Sequence, residues 1–290
     1  MELLNWVVEP FQAGFQIRAL LGGLLAAVMS SFVGVWLVLR GMSFFGDAFV
    51  HGVVPGIAAA VLFGFSPYLG AALAATVMVS LMELIYRTTS LKEDTAIGLL
   101  FVGMMALGVV VISRADSFQG SLTAILFGDA LGVSWTDIQM QLVFVIGVGV
   151  VSLLLYRPLM ALSFSPDKAE ALGMRPQLTH WLLLMMIAAA VIGSFQAVGT
   201  LLVLGLLIGP AATAALITRT VPRMILASLV IGVVSVTVGL IFSYHLGTAA
   251  GASMALVAIV GFFLVLLIRE LTGAIHRRRR NATFAKQGAS

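Results

Sequence analysis

Apolar runs of about twenty residues follow one another along almost the whole chain, separated by short polar turns. Helices of this length match the ~30 Å thickness of the hydrocarbon core of a bilayer. Backbone N–H and C=O groups in lipid must pair within the protein, which leaves helices or a closed barrel. The runs are continuous and do not alternate with period two, so they indicate helices. We predict spans at 17–39, 47–65, 67–86, 95–113, 138–162, 179–195, 199–218, 222–243 and 251–268.

The predicted fold class is therefore all-α, a polytopic transmembrane helical bundle of about nine spans. Eight spans are possible, because 179–218 fits either two spans with a tight turn at 196–199 or one span plus a re-entrant segment. Charged residues make up 10% of the chain and hydrophobic residues 61%, which is too apolar for a water-facing surface. Cysteine is absent, which excludes disulfides and thiolate metal sites.

The charge pattern divides the chain and orients it. We expect residues 1–16 to be a short extracytoplasmic or interfacial segment and residues 17–270 to be one transmembrane domain. Residues 271–290 form a basic tail that we expect to be disordered and attracted to anionic lipid. With Arg40 in the cytoplasm, alternation places every Lys and Arg except Arg18 and Arg114 on the cytoplasmic side. Basic residues favour that side, so the pattern predicts a multi-pass cell-membrane protein with a cytoplasmic C-terminus.

A charged segment opens the second predicted span. Asp47 and His51 are four residues apart, so on a helix their Cβ atoms lie on one face about 6 Å apart. A carboxylate in a membrane helix costs about 3 kcal/mol and normally faces a pore or a partner. Pro55 has no N–H, so the carbonyl of His51 loses its helical partner, while Gly52 and Gly56 remove side-chain bulk. These residues predict a loosened turn that presents a carboxylate, an imidazole and a carbonyl.

Carboxylate and imidazole ligands suit Mn²⁺, Fe²⁺ or Zn²⁺. Two ligands from one chain make a poor metal site, but a two-fold dimer with this helix at its axis would supply two Asp and two His. Other interpretations stay open from the spacing alone. Asp47 is also a good N-cap for its helix, His51 could bond to a neighbouring helix, and the pair could relay protons.

Further motifs follow in order along the chain. Val38-Leu39-Arg40-Gly41-Met42 precedes the Asp47 segment, and five other stretches come after it: 93–98 (EDTAIG), 126–128 (LFG), 167–174 (DKAEALGM), 198–202 (VGTLL) and 209–214 (GPAATA). Together they resemble the ABC-3 family, the membrane permeases of manganese, zinc and iron ABC importers. Any one motif is weak, but their common order over nearly the whole chain is specific.

This resemblance implies a type II ABC-importer-like fold and a homodimer of permeases that forms the translocation pore. It implies a cytoplasmic pair of ABC ATPase subunits that use ATP, and an extracytoplasmic solute-binding protein that delivers the metal ion. Asp47 and His51 match the pore residues of the family, so it implies that they contact the transported Mn, Zn or Fe ion. We expect no permanently bound cofactor and no nucleic-acid partner.

A cytoplasmic segment is assigned to ATPase coupling by the same resemblance. Its matching residues are Asp167, Ala169, Ala171, Leu172 and Gly173. Outside the motifs, His245 lies in a predicted outward loop and is a candidate ligand for the incoming ion, although exposed loop histidines usually have no such role. Pro210 should kink the seventh span and free the carbonyl of Leu206, either as part of a flexing gate helix or as a static bend.

Rival functions are separated by what the sequence lacks. No G-x4-G-K-[ST] loop occurs, so the chain has no ATPase site of that type and we expect a transport subunit rather than an enzyme. The alternative is a secondary, proton-coupled metal transporter. Such transporters often contain inverted repeats with paired broken helices, whereas this chain has one acidic–histidine segment and no second copy.

Overall fold

The structure is a computed structural model that describes residues 6–89, 91, 93–113, 132–164, 170 and 173–287 of the 290-residue chain. A short 3₁₀ helix, Glu9–Gln12, comes first. The α-helices that follow are α1 (Gly14–Leu39), α2 (Ser43–Gly52), α3 (Val54–Phe63), α4 (Pro67–Thr88), α5 (Glu93–Ile112), α6 (Trp135–Leu154), α7 (Tyr156–Phe164), α8 (Pro176–Val198), α9 (Thr200–Ile217), α10 (Val221–Leu246) and α11 (Ala250–Gln287).

The helix ends follow from local chemistry. Gly64 ends α3 with φ 73° and Gly247 ends α10 with φ 64°, a left-handed conformation that residues with a Cβ rarely adopt. Pro67 and Pro176 occupy the first position of α4 and α8, where the missing N–H has no helical partner to lose. Such signals keep the connections between the helices short.

Helix α1 lies at the centre of the bundle and packs against α6, α8, α9 and α10. Its small residues allow this. A Cβ on Gly34 would overlap the carbonyl oxygen of Leu207 in α9, and a Cβ on Gly23 would lie 2.6 Å from Val236 Cγ1 in α10. Close packing through small residues is typical of membrane helices, which gain little from hydrophobic burial against each other.

The peripheral helices turn large apolar side chains outward. Leu99, Val102 and Val109 of α5 and Leu153 and Leu154 of α6 are all more than half exposed. An apolar surface this continuous suits lipid rather than water. The all-α, polytopic transmembrane fold predicted from the sequence is therefore confirmed.

Eight helical stretches in the described residues are long and apolar enough to span a membrane. One of them is Ser43–Phe63, which contains both α2 and α3. The predicted segment 199–218 forms α9, Thr200–Ile217, in agreement with its predicted bounds. Gly199, with φ 87°, separates α8 from α9, so 179–218 is two helices and not one.

Helix α9 runs parallel to α11. A Cβ on Gly205 would lie 2.9 Å from Ala255 Cβ, and a Cβ on Gly209 would lie 3.3 Å from Ala258 Cβ. Residue numbers rise in the same direction along both helices, so the two helices are parallel. This direction is the one that the nine-span topology requires of α9.

The last helix continues to Gln287. The backbone of 271–287 is therefore helical where we had expected a disordered tail. Helix-favouring residues explain the difference, because Arg, Ala and Lys dominate this stretch and no Pro or Gly interrupts it between Ala274 and Gln287.

Candidate functional site

The Asp47 segment forms a broken helix. Helix α2 ends at Gly52 and α3 begins at Val54, so a single residue, Val53, separates them. The N–H that would bond to the carbonyl of His51 belongs to position 55, and Pro55 does not have one. Pro55 is instead accommodated in the first turn of α3. The interruption therefore lies where the sequence predicted a loosened turn.

Asp47 and His51 lie on one face of α2. The Nε2 atom of His51 is 3.8 Å from Oδ1 of Asp47, and their side chains are 21% and 37% exposed respectively. The helix begins at Ser43, with Met42 at its N-cap position. Asp47 is therefore one turn inside the helix, and the interpretation of Asp47 as an N-cap is wrong. Both side chains open onto the surface of the single chain.

Two aromatic rings border this pair. The imidazole of His51 meets the ring of Phe101 on α5 edge to face, with centroids 5.4 Å apart and planes 69° apart. Phe101 also contacts Phe44, with centroids 6.3 Å apart. Nothing in the sequence pattern had singled out either phenylalanine. The polar pair thus has an apolar wall on its α5 side.

Glycines hold the broken helix against α4. A Cβ on Gly52 would overlap the side chain of Met78, and a Cβ on Gly56 would overlap the carbonyl oxygen of Gly70. On the other flank, a Cβ on Gly46 would lie 3.0 Å from Leu204 Cδ1 in α9. The small residues around the break therefore serve close packing with α4 and α9.

The donor set of one chain is incomplete for a metal ion. No group of three or more His, Cys, Asp or Glu side chains close enough to share an ion occurs in the part of the chain that the structure describes. Asp47 and His51 supply one oxygen and one nitrogen donor, whereas transition metals in proteins usually take four or more ligands. Within the described residues, Asp47 and His51 therefore do not complete a metal site by themselves.

Four of the five predicted coupling residues, Asp167, Ala169, Ala171 and Leu172, lie outside the described residues. Gly173 is described and adopts φ 72°, with its N–H donated to the carbonyl of Glu170 over 2.9 Å. A pocket of about 870 Å³ opens beside it. Among its lining residues are Ser80, Glu83, Glu170, Arg175 and Trp181.

His245 is engaged with the N-terminal segment. Its ring stacks on the indole of Trp6 with centroids 4.2 Å apart and planes 7° apart, and its Nε2 lies 2.9 Å from the carbonyl oxygen of Trp6. The ring edge also meets Tyr244. These contacts occupy one face and one nitrogen of the imidazole, so they favour an anchoring role over that of a ligand for an incoming ion.

Pro210 lies inside α9, which continues on both sides of it from Thr200 to Ile217. It therefore differs from Pro55, which lies just after the interruption between α2 and α3. One turn further on, the Thr213 hydroxyl donates to the carbonyl of Gly209 over 2.7 Å. This contact satisfies a backbone group next to the proline.

The fold and this surface define a class of protein: a multi-pass helical membrane protein whose broken span presents a carboxylate–imidazole pair. Residues 12–269 match the ABC 3 transport family, and the chain belongs to that family. The resemblance drawn from the motifs is thereby confirmed.

Relatives and a solved structure agree with this assignment. The chain is 35% identical over 269 residues to the manganese transport system membrane protein MntC of Listeria innocua, which covers 93% of this chain and 96% of the relative. It is 33% identical over 267 residues to the chelated iron transport system membrane protein YfeD of Yersinia pestis, covering 92% and 89%. The structure of PsaBC from Streptococcus pneumoniae in complex with Fab contains a chain of the same fold, with a TM-score of 0.81, 30% identity and coverage of 91% and 95%.

Proposed function

We propose that this chain is the permease subunit of an ABC importer for a divalent transition-metal ion, with Asp47 and His51 in the translocation path. The observation that carries the proposal is the pair itself: two metal-binding side chains, 3.8 Å apart, exposed on one face of a broken membrane helix. An ionisable pair at membrane depth is costly unless it lines a path or meets a partner. Relatives named for manganese and chelated-iron transport support this cargo.

The proposed working form is a homodimer with the α2 face at its two-fold axis. A dimer brings two carboxylates and two imidazoles together, which completes a four-ligand set from residues that are insufficient in one chain. It also removes both polar side chains from lipid. Mn²⁺ and Fe²⁺ accept this mixed oxygen–nitrogen set, as does Zn²⁺.

The energy for transport comes from a separate pair of ATPase subunits in this proposal. The chain has no phosphate-binding G-x4-G-K-[ST] loop of its own. The segment 167–173 docks on these subunits at the cytoplasmic face, and a solute-binding protein delivers the ion on the opposite face. The C-terminus is then cytoplasmic, in line with the basic residues that follow Arg269.

The test is uptake of radiolabelled Mn²⁺ into proteoliposomes that contain the permease and its ATPase, with the binding protein outside. We expect ATP-dependent uptake that Asp47→Ala and His51→Ala each abolish, while both variants still assemble with the ATPase. Glu9→Ala, which removes an exposed carboxylate from the 3₁₀ helix that precedes α1, is the control and should transport normally. Wild-type uptake by an Asp47→Ala/His51→Ala double variant would refute the role of the pair.

The second candidate, a proton-coupled secondary transporter, is separated by the same experiment. Uptake driven by a pH gradient without ATP would support it. Membership of the ABC 3 transport family and the single broken acidic–histidine span disfavour it.

A further inference from the structure

Phe44 belongs to the same stripe of α2 as the metal-binding pair. Positions 44, 47 and 51 are spaced i, i+3 and i+7, so on a helix their side chains point in nearly the same direction. The Phe44 side chain is 47% exposed on the surface of the single chain. The Phe44 side chain therefore points in the same direction as those of Asp47 and His51, and it lies about one helical turn closer to Arg40 than Asp47 does.

Phe101 on α5 contacts the other two members of the stripe, Phe44 and His51. Phe44 and His51 are separated by two helical turns, a rise of about 10 Å. The Phe101 ring lies 6.3 Å from the Phe44 ring and 5.4 Å from the His51 ring, so it fills the interval between them on the α5 side. The path next to Asp47 is therefore bordered by two rings that offer a cation no oxygen or nitrogen donor.

Lipid does not explain this arrangement. Phe44 shares its direction with a carboxylate, and a face that carries a carboxylate avoids hydrocarbon and turns toward a partner or a water-filled path. In the proposed dimer that partner is a second copy of the chain, whose own aromatic pair meets this one across the axis. Hydrophobic constrictions close membrane paths because water and ions leave a narrow apolar passage.

We propose that Phe44, with the ring of Phe101 packed against it, forms an aromatic gate that closes the translocation path on the Arg40 side of the Asp47–His51 pair. The gate rests on the proposed function, since it assumes that the pair lines a path at a dimer axis. In the resting complex the rings exclude water from the path on the Arg40 side of the bound ion. Movement of α2 relative to α5 separates the rings and releases the ion toward the Arg40 end.

The experiment measures leakage and not pumping. Permease–ATPase complexes are reconstituted into liposomes that contain a Mn²⁺-quenched dye, and Mn²⁺ is added outside without ATP. The wild-type complex should stay tight. Phe44→Ala should raise the rate of ATP-independent quenching severalfold, and Phe44→Ala/Phe101→Ala should raise it further, because the rings that close the path are gone.

Matched variants separate a gate from general loosening. Phe44→Leu keeps apolar bulk and should stay tight. Phe63→Ala removes a 75% exposed phenylalanine at the far end of the same broken span and should also stay tight. If Phe44→Ala fails to assemble with the ATPase, Phe44→Val removes the ring while retaining part of the side chain, and it should leak in the same assay.

The outcomes distinguish the gate from the function on which it rests. An assembled Phe44→Ala or Phe44→Val complex without a leak overturns the gate, even when Asp47→Ala still abolishes ATP-driven uptake. Normal uptake by the Asp47→Ala/His51→Ala variant overturns the pore pair instead, and the leak assay does not depend on that result. An equal leak from Phe63→Ala overturns the gate as well, because it assigns the leak to loosened packing.

Discussion

Gly56 on α3 and Gly70 on α4 face each other so closely that the space for each missing side chain is occupied by the carbonyl oxygen of the other. This contact holds the second half of the broken span against α4. Backbone atoms cannot move aside as a flexible side chain can, so an added carbon must push the two helices apart.

The first prediction concerns this contact. Gly56→Ala should lower the melting temperature of the purified permease, because overpacking against a rigid backbone costs about 1–3 kcal/mol. Gly103→Ala on α5 is the matched control, since a Cβ there has nothing within 4 Å. The control should keep or raise the melting temperature, because Ala favours a helix by about 0.5–1 kcal/mol over Gly. Equal melting temperatures for the two variants would contradict the packing seen between α3 and α4.

The second prediction concerns stoichiometry. If one metal site is built from two halves, calorimetric titration of the detergent-solubilised permease with Mn²⁺ should saturate at one ion per two chains. The Asp47→Ala/His51→Ala variant should show no binding under the same conditions. One ion bound per chain would be incompatible with a site shared across a two-fold axis.

The third prediction concerns Gly173. Its φ of 72° is a left-handed conformation that costs a residue with a Cβ about 1–2 kcal/mol. Gly173→Ala should therefore weaken capture of the ATPase subunit in a pull-down, because the segment that precedes α8 must be rebuilt. Gly147→Ala is the control, because an added Cβ at this helical position has no atom within 4 Å, and this variant should bind the ATPase normally. Undiminished capture by Gly173→Ala, and also by Gly173→Trp, would remove this turn from the coupling surface.

The fourth prediction concerns α6. The Ser134 hydroxyl accepts from the N–H of Asp137, and the Asp137 carboxylate accepts in turn from the N–H of Ser134. Loss of an N-cap of this kind costs about 1 kcal/mol, so Ser134→Ala should lower the melting temperature by a few degrees. Ser113→Ala removes an exposed hydroxyl that donates to the carbonyl of Val110 in the last turn of α5, and it should have no such effect.

The fifth prediction concerns the stacked pair Trp6 and His245. His245→Ala should make tryptophan fluorescence more accessible to iodide, since the indole of Trp6 loses the ring that covers one of its faces. Metal uptake should remain at the wild-type level, which would separate anchoring from ion delivery. Leu246→Ala alters a more exposed neighbour and should leave the quenching unchanged. Loss of uptake in His245→Ala with unchanged quenching would restore the role of an ion ligand.

Much of this fold was predictable because its strongest determinants are local. Apolar run length predicts the helices, and a proline that follows a glycine-rich turn predicts the interruption at Val53. The start of α2 at Ser43 was missed by four residues, because Ser43 and the two phenylalanines after it were assigned to the preceding turn. That error made a capping role for Asp47 plausible.

Other features depend on contacts between distant parts of the chain and leave no mark on local sequence. Phe101 reaches His51 from α5, and Trp6 reaches His245 from the other end of the chain. Phe44 was within reach of the sequence, because its spacing from Asp47 and His51 places it on the same helical face. The bounds of α9 were predictable to within one residue at each end, because Gly199 separates it from α8 and the apolar run ends at Ile217.

The proposed sharing of one metal site between two copies of the chain would have an evolutionary consequence. In a site made of two identical halves, a codon change at position 47 or 51 replaces two ligands at once. Such a protein cannot adjust its ligands one by one toward a different ion. Fine adjustment is then left to neighbours such as Phe101, which reshape the surroundings of His51 without removing a donor.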